Sequence, residues 1–67
     1  MTGVTARELA VLNSLDNLGQ PLSVAAISET SGIPRTSTRT TLIYLERRGL
    51  VRIAETTPKG GTMWCLA

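Results

Sequence analysis

Sixty-seven residues at 42% apolar content make one small domain at most, and a chain of this size buries only about 60% of the surface its unfolded form exposes. No apolar run approaches the roughly 20 residues that cross a bilayer. The start, Met1-Thr-Gly-Val-Thr5, lacks the basic and apolar regions of a signal peptide, and the single cysteine, Cys65, cannot form an internal disulfide, so a cytoplasmic, reducing location is expected. The net charge of +2 is unevenly placed. Residues 1–32 carry Arg7 against Glu8, Asp16 and Glu29; residues 33–67 carry Arg35, Arg39, Arg47, Arg48, Arg52 and Lys59 against Glu46 and Glu55. The basic C-terminal half suits an anionic partner, and equally an ordinary solvated face.

Thr5-Ala-Arg-Glu8 fits a capping box, and Val4 with Leu9 falls at the two positions of a hydrophobic staple. Leu9, Leu12, Leu15 and Leu18, with Val11, then recur at helical spacing. Gly19 suits the left-handed position past a helix end, and Pro21 follows as a stop. The first helix is therefore expected from about Ala6 to Leu18, with its leucine stripe inward. Gln20-Pro21-Leu22 reads as an extended link. Ser23 can cap a second, short helix from about Val24 to Thr30, with Leu22 and Ile27 as its staple and Gly32 as its end.

Pro34 is tolerated in a first helical turn, and a third helix is expected from about Pro34 to Arg48, ending at Gly49. Leu42 and Leu45 are its inward positions, and stepping back by helical periods puts Thr41 and Thr38 on the same face. The opposite face carries Arg35, Thr36, Arg39, Thr40, Ile43 and Arg47. After Gly49 the period changes. Leu50-Val-Arg-Ile-Ala-Glu55 has the β-branched, partly alternating pattern of a strand, and Thr62-Met-Trp-Cys-Leu-Ala67 reads as its return. Pro58 and Gly60 suit the second and fourth positions of a type I turn between them, with Lys59 at the tip. A two-stranded hairpin is not stable alone. It is expected to pack on the helices through Val51, Ile53, Met63 or Trp64, and Leu66.

The order is helix, helix, short turn, helix, hairpin, an α+β arrangement whose second and third helices meet as in a helix-turn-helix. The stretch SVAAISETSGIPRTSTRTTLIYLERRGLV resembles the winged helix-turn-helix DNA-binding domains of the bacterial IclR-type and MarR-type transcriptional regulators. It matches them in a short helix, a glycine, a Gly-apolar-Pro-basic-Ser/Thr-Thr entry to the third helix, and a closing Leu-x-x-Leu-Glu-x-Arg-Gly. The resemblance implies that the third helix enters the major groove of double-stranded DNA and that the hairpin, or wing, lies on the adjacent backbone. Thr38 and Thr41 depart from it, standing where these families usually have valine and leucine. Full-length members also carry an effector or dimerisation domain, which these residues do not supply. A homodimer on a palindromic site would need its own surface, and the broad stripe of the first helix is the candidate.

DNA binding asks for Lys and Arg against phosphates, short hydroxyls and helix N-terminal N–H groups that fix register, and groups that read base edges. Thr36, Arg39 and Thr40 are the base-reading candidates; Arg35, Ser37 and, from the wing, Lys59 are the phosphate candidates. Arg47 and Arg48 in the last turn suit the helix dipole instead. Tyr44 is expected to be half-buried, Trp64 to pin the wing to the helices, and Cys65 to be a small buried hydrophobe. No histidine, one cysteine and five scattered acids offer no metal ligand set or catalytic carboxylate pair, so neither an enzyme nor a cofactor is expected. Two alternatives to sequence-specific B-DNA binding remain. A winged helix serving as a protein–protein module would show a more apolar third-helix face, which Ile43 slightly favours. A Z-DNA-binding winged domain is suggested by Trp64 just after the wing. It fits less well: those domains carry Asn, Tyr and Pro-Pro where Arg39, Ile43 and Gly-Gly or Gly-Thr stand here.

Overall fold

A computed structural model describes residues 5–58 and 61–67. The first helix, α1 (Ala6–Leu18), begins with a complete capping box. The Glu8 N–H donates to Thr5 Oγ1 at 3.2 Å, and the Thr5 N–H donates to Glu8 Oε1 at 2.9 Å. Two helix-end donors are thereby satisfied within four residues. Gly19 ends α1 at φ 61°, its N–H donating to the Leu15 carbonyl. The buried face of α1 is Glu8, Val11, Ser14 and Leu15, with Leu12 packed at its edge. This corrects the leucine stripe: Leu9 is 52% and Leu18 47% exposed. At about 100° per residue, Leu9 lies roughly 160° around the helix from Val11. Leu18 shares Val11's side but is the last helical residue. The other half of the expected first staple, Val4, lies outside the described residues.

Leu22–Ser23 is a short strand, β1, rather than a plain link. Ser23 Oγ then caps α2 (Val24–Ser31) by accepting from the Ala26 N–H at 3.2 Å. Leu22 and Ile27, the second staple, are both buried. Gly32 closes α2 at φ 77°. The next helix, α3 (Arg35–Arg47), has Pro34 as N-cap and no side-chain cap. Its C-terminal end is a Schellman motif: the Gly49 N–H donates to the Glu46 carbonyl and the Leu50 N–H to the Leu45 carbonyl.

Leu42 and Leu45 of α3 are fully buried, and so is Thr38; Thr41 is nearly so. The two threonine hydroxyls do not go unpaired. Thr41 Oγ1 donates to the Ser37 carbonyl one turn back, at 2.7 Å. Thr38 Oγ1 donates at 3.2 Å to the Ile33 carbonyl, which also accepts from Ser28 Oγ at 2.5 Å. One carbonyl in the α2–α3 turn thus receives a hydroxyl from each helix and ties the two together.

The hairpin strands are β2 (Val51–Thr56) and β3 (Thr62–Leu66). With β1 they form an antiparallel three-stranded sheet in the order β1-β3-β2, so the wing is anchored by a third strand that sequence patterning did not reveal. The register pairs Leu22 with Trp64, Ile53 with Trp64 and Val51 with Leu66, with an irregularity between Ile53 and Glu55. Cross-strand partners share a face, so Val51, Ile53, Trp64 and Leu66 all lie on one side of the hairpin. Only Val51 and Trp64 reach the core formed with Val11, Leu15, Leu22, Ile27, Leu42 and Leu45. Ile53 and Leu66, expected to pack inward, are exposed because the hairpin leans on the helices along one diagonal. Trp64 does pin the wing, although its buried indole N–H has no partner among the described residues. Cys65 is free and half-buried. At the wing tip, Thr57 and Gly61 close the loop through Thr57 N–H to Gly61 O at 2.7 Å and Gly61 N–H to Thr57 Oγ1 at 2.9 Å. Lys59 and Gly60 lie outside the described residues.

Candidate nucleic-acid interface

The outward surface of α3 carries two parallel rows of side chains at i+4 spacing. The first row, Arg35, Arg39 and Ile43, faces the wing and lines a groove floored by Val24, Ile53 and Trp64. The second, Thr36, Thr40 and Tyr44, faces the start of α1 and lines a shallower cleft with Thr5, Arg7 and Glu8. Arg35, Thr36, Arg39 and Thr40 are exposed, and Ser37 is partly buried between the second row and the core. Five of the six sequence-predicted site residues therefore gather on and beside one helical face. The sixth, Lys59, lies outside the described residues.

Local chemistry prepares this face. No ion pair engages Arg35 or Arg39 among the described residues, so both guanidiniums are available to an incoming anion. Thr40 Oγ1 donates to the Thr36 carbonyl at 3.1 Å. Its proton is thereby committed to the backbone, which leaves its methyl group and an acceptor lone pair outward. The first N–H groups of α3 have no side-chain cap, unlike those of α1 and α2.

Two residues differ from expectation. Tyr44 is 54% exposed rather than half-buried, because it continues the Thr36–Thr40 row and not the Leu42–Leu45 face. Arg48 does more than complement the α3 dipole. Its Nη1 donates to both carboxylate oxygens of Glu8, at 3.2 and 3.1 Å, and joins the end of α3 to the start of α1. The Thr5 N–H donating to the carboxylate, and Arg48 beside it, hold the Glu8 carboxyl below its ordinary 4.5, against the opposing effect of partial burial. Forty positions separate these partners, and no local pattern marks them as a pair. The Tyr44 row, by contrast, was readable as 36, 40, 44. Among the described residues, no group of three or more His, Cys, Asp or Glu could hold a metal ion. None of their helices is long and apolar enough to cross a membrane.

The model of the IclR helix-turn-helix domain matches residues 4–53. The chain belongs to the IclR helix-turn-helix domain family. Solved structures agree on the architecture of this IclR-type domain, a winged helix-turn-helix DNA-binding domain of the kind found in transcriptional regulators. It is similar to the transcriptional regulator PA4135, at 27% identity and a TM-score of 0.84 over 97% of the chain. It is also similar to the PcaV transcriptional regulator from Streptomyces coelicolor, solved with its natural ligand, at 26% identity and a TM-score of 0.82 over 96% of the chain. Lactococcus lactis ZitR, solved in complex with DNA, shares the fold at 21% identity and a TM-score of 0.79 over 98% of the chain. The IclR-type domain spans 48%, 45% and 44% of those three chains respectively, so it is about half their length. No curated protein matches it in sequence.

Proposed function

We propose that this domain binds double-stranded B-DNA sequence-specifically, with α3 in the major groove and the wing on the adjacent backbone, and that it serves transcription regulation in the cytoplasm rather than catalysis. The observation that carries the reading is the α3 face. It combines two arginines that have no ion pair among the described residues with short hydroxyls beside an uncapped helix N-terminus and a two-stranded wing anchored by a third strand. Arg39 suits bidentate hydrogen bonding to guanine, and the methyl groups of Thr36 and Thr40 suit contact with thymine. Arg35, Ser37 and Lys59 are assigned to phosphates, where charge and helix N-terminal N–H groups hold oxygens. That ZitR, which shares the fold, has been solved with DNA supports the reading.

A palindromic site would be read by two copies, and the exposed Leu9 and Leu18 of α1 are apolar side chains available to such a pairing. Exposed Ile43 and Ile53 favour a second reading, in which the groove between α3 and the wing takes a protein partner.

Titration onto duplex DNA at two salt concentrations separates the two readings. DNA binding predicts an affinity that falls steeply with salt, because each neutralised phosphate releases counterions. Absence of binding even at low salt would refute the proposal.

A further inference from the structure

The side of α3 away from the wing carries a second set of groups with no structural employment. Arg7 is exposed in the first turn of α1 and lines one cleft with Thr36, Thr40 and Tyr44 of α3. The only acid in that cleft is Glu8, and Glu8 is already engaged by the Thr5 N–H and by Arg48. The charge left over is therefore that of Arg7, which has no ion pair among the described residues. A cation in the first turn also opposes the helix dipole, so helix stability does not account for Arg7. Tyr44 adds an exposed phenol that has no intramolecular partner among the described residues.

Width gives this placement its meaning. A B-DNA major groove is about 12 Å across, and an α-helix with its side chains is about 10–12 Å in diameter. A helix lying in the groove therefore meets both sugar–phosphate walls, one along each flank. The wing covers one flank of α3. The other flank is the Thr36–Thr40–Tyr44 row with Arg7 beside it.

We infer that Arg7 and Tyr44 form a second phosphate-binding site, which holds phosphodiester oxygens of the backbone wall opposite the wing. The assignment rests on α3 entering the major groove. It adds a clamp on the far wall, so that α3 is held from both sides, and it gives a role to Arg7 of α1 and to Tyr44 of α3.

The test uses Arg7→Ala, Arg7→Lys and Tyr44→Phe. Each is titrated by fluorescence anisotropy against a duplex selected from random DNA and against an unselected duplex, across a salt series. Arg7→Ala is expected to lower the slope of log affinity against log salt by about 0.9, the value for one phosphate. Its loss of affinity should be the same on both duplexes, since backbone contacts carry no sequence information. Arg7→Lys should restore the slope. Tyr44→Phe should weaken both complexes roughly twofold to tenfold, the value of one hydrogen bond. Circular dichroism confirms that these exposed substitutions leave the fold intact. An unchanged slope for Arg7→Ala, or a loss confined to the selected duplex, overturns the assignment while leaving DNA binding in place. If the unsubstituted chain binds neither duplex at low salt, the DNA reading falls and the assignment falls with it.

Discussion

Removing the Thr38 hydroxyl tests how the α2–α3 turn is held. Thr38 has no solvent exposure, and its hydroxyl shares the Ile33 carbonyl with Ser28. Thr38→Val deletes a hydrogen bond with a net value of about 0.5–1.5 kcal/mol. It also puts a methyl group where a hydroxyl was buried, a gain of about 0.8 kcal/mol on the transfer scale. Ser28 still satisfies the carbonyl, so no acceptor is orphaned. The net effect is expected to fall within about 1 kcal/mol of zero, a shift of at most about 8 °C in Tm for a domain this small. Ser28→Ala alone should be similarly mild, because Thr38 remains. The double variant leaves the Ile33 carbonyl without either donor and should lose about 1 kcal/mol or more beyond the sum of the singles. Urea unfolding of all four proteins measures this coupling. DNA affinity of Thr38→Val should be unchanged, because its side chain is buried in the core and not on the exposed surface of α3. Additive losses would refute the shared-acceptor argument. A large loss of DNA binding with the fold intact would mean that the inward and outward faces of α3 are wrongly assigned.

Arg39→Ala should relax preference at one base position by about 1–3 kcal/mol, as read by competition among single-base variants of a selected site. Stability should fall in acid through Glu8. Its folded-state carboxyl titrates below the ordinary 4.5, so its stabilisation is fully present above that pH and is lost as pH falls through the folded-state value. Urea midpoints followed from neutral into the carboxylate range should decline less in Glu8→Gln than in the unsubstituted chain. Gly49 stands at φ 76° with open space where a Cβ would project, so Gly49→Ala should lower stability by about 1 kcal/mol through backbone strain alone. Thermal unfolding measures this, and an unchanged Tm would show that the Schellman turn tolerates a side chain.

Local signals read well in this chain because local chemistry settles them. Thr5 with Glu8, Ser23, and the glycines at 19, 32 and 49 mark helix ends through hydrogen bonds or positive φ within a few residues. The inward placement of Thr38 and Thr41 followed from helical period alone. Features set by long-range packing were not legible. Leu9 was misplaced because repeated steps of three drift around a helix whose true period is 3.6. Leu22–Ser23 pairs with a strand some forty residues later, and two residues are too few to show a strand pattern. The face shared by Val51, Ile53, Trp64 and Leu66 was readable from alternation, but the depth of each residue depends on how far the helices extend beneath the hairpin. The Glu8–Arg48 pair depends likewise on the α1–α3 crossing, which nothing near either residue announces.

The proposed function places the outward face of α3 against DNA. Titrating a selected duplex into isotopically labelled protein and mapping the NMR shift changes by residue tests it most directly. The largest changes are expected on residues 35–40 and on the wing, with smaller ones at Arg7 and Tyr44. Changes centred on Leu9 and Leu18 of α1, with residues 35–40 unmoved, would contradict it.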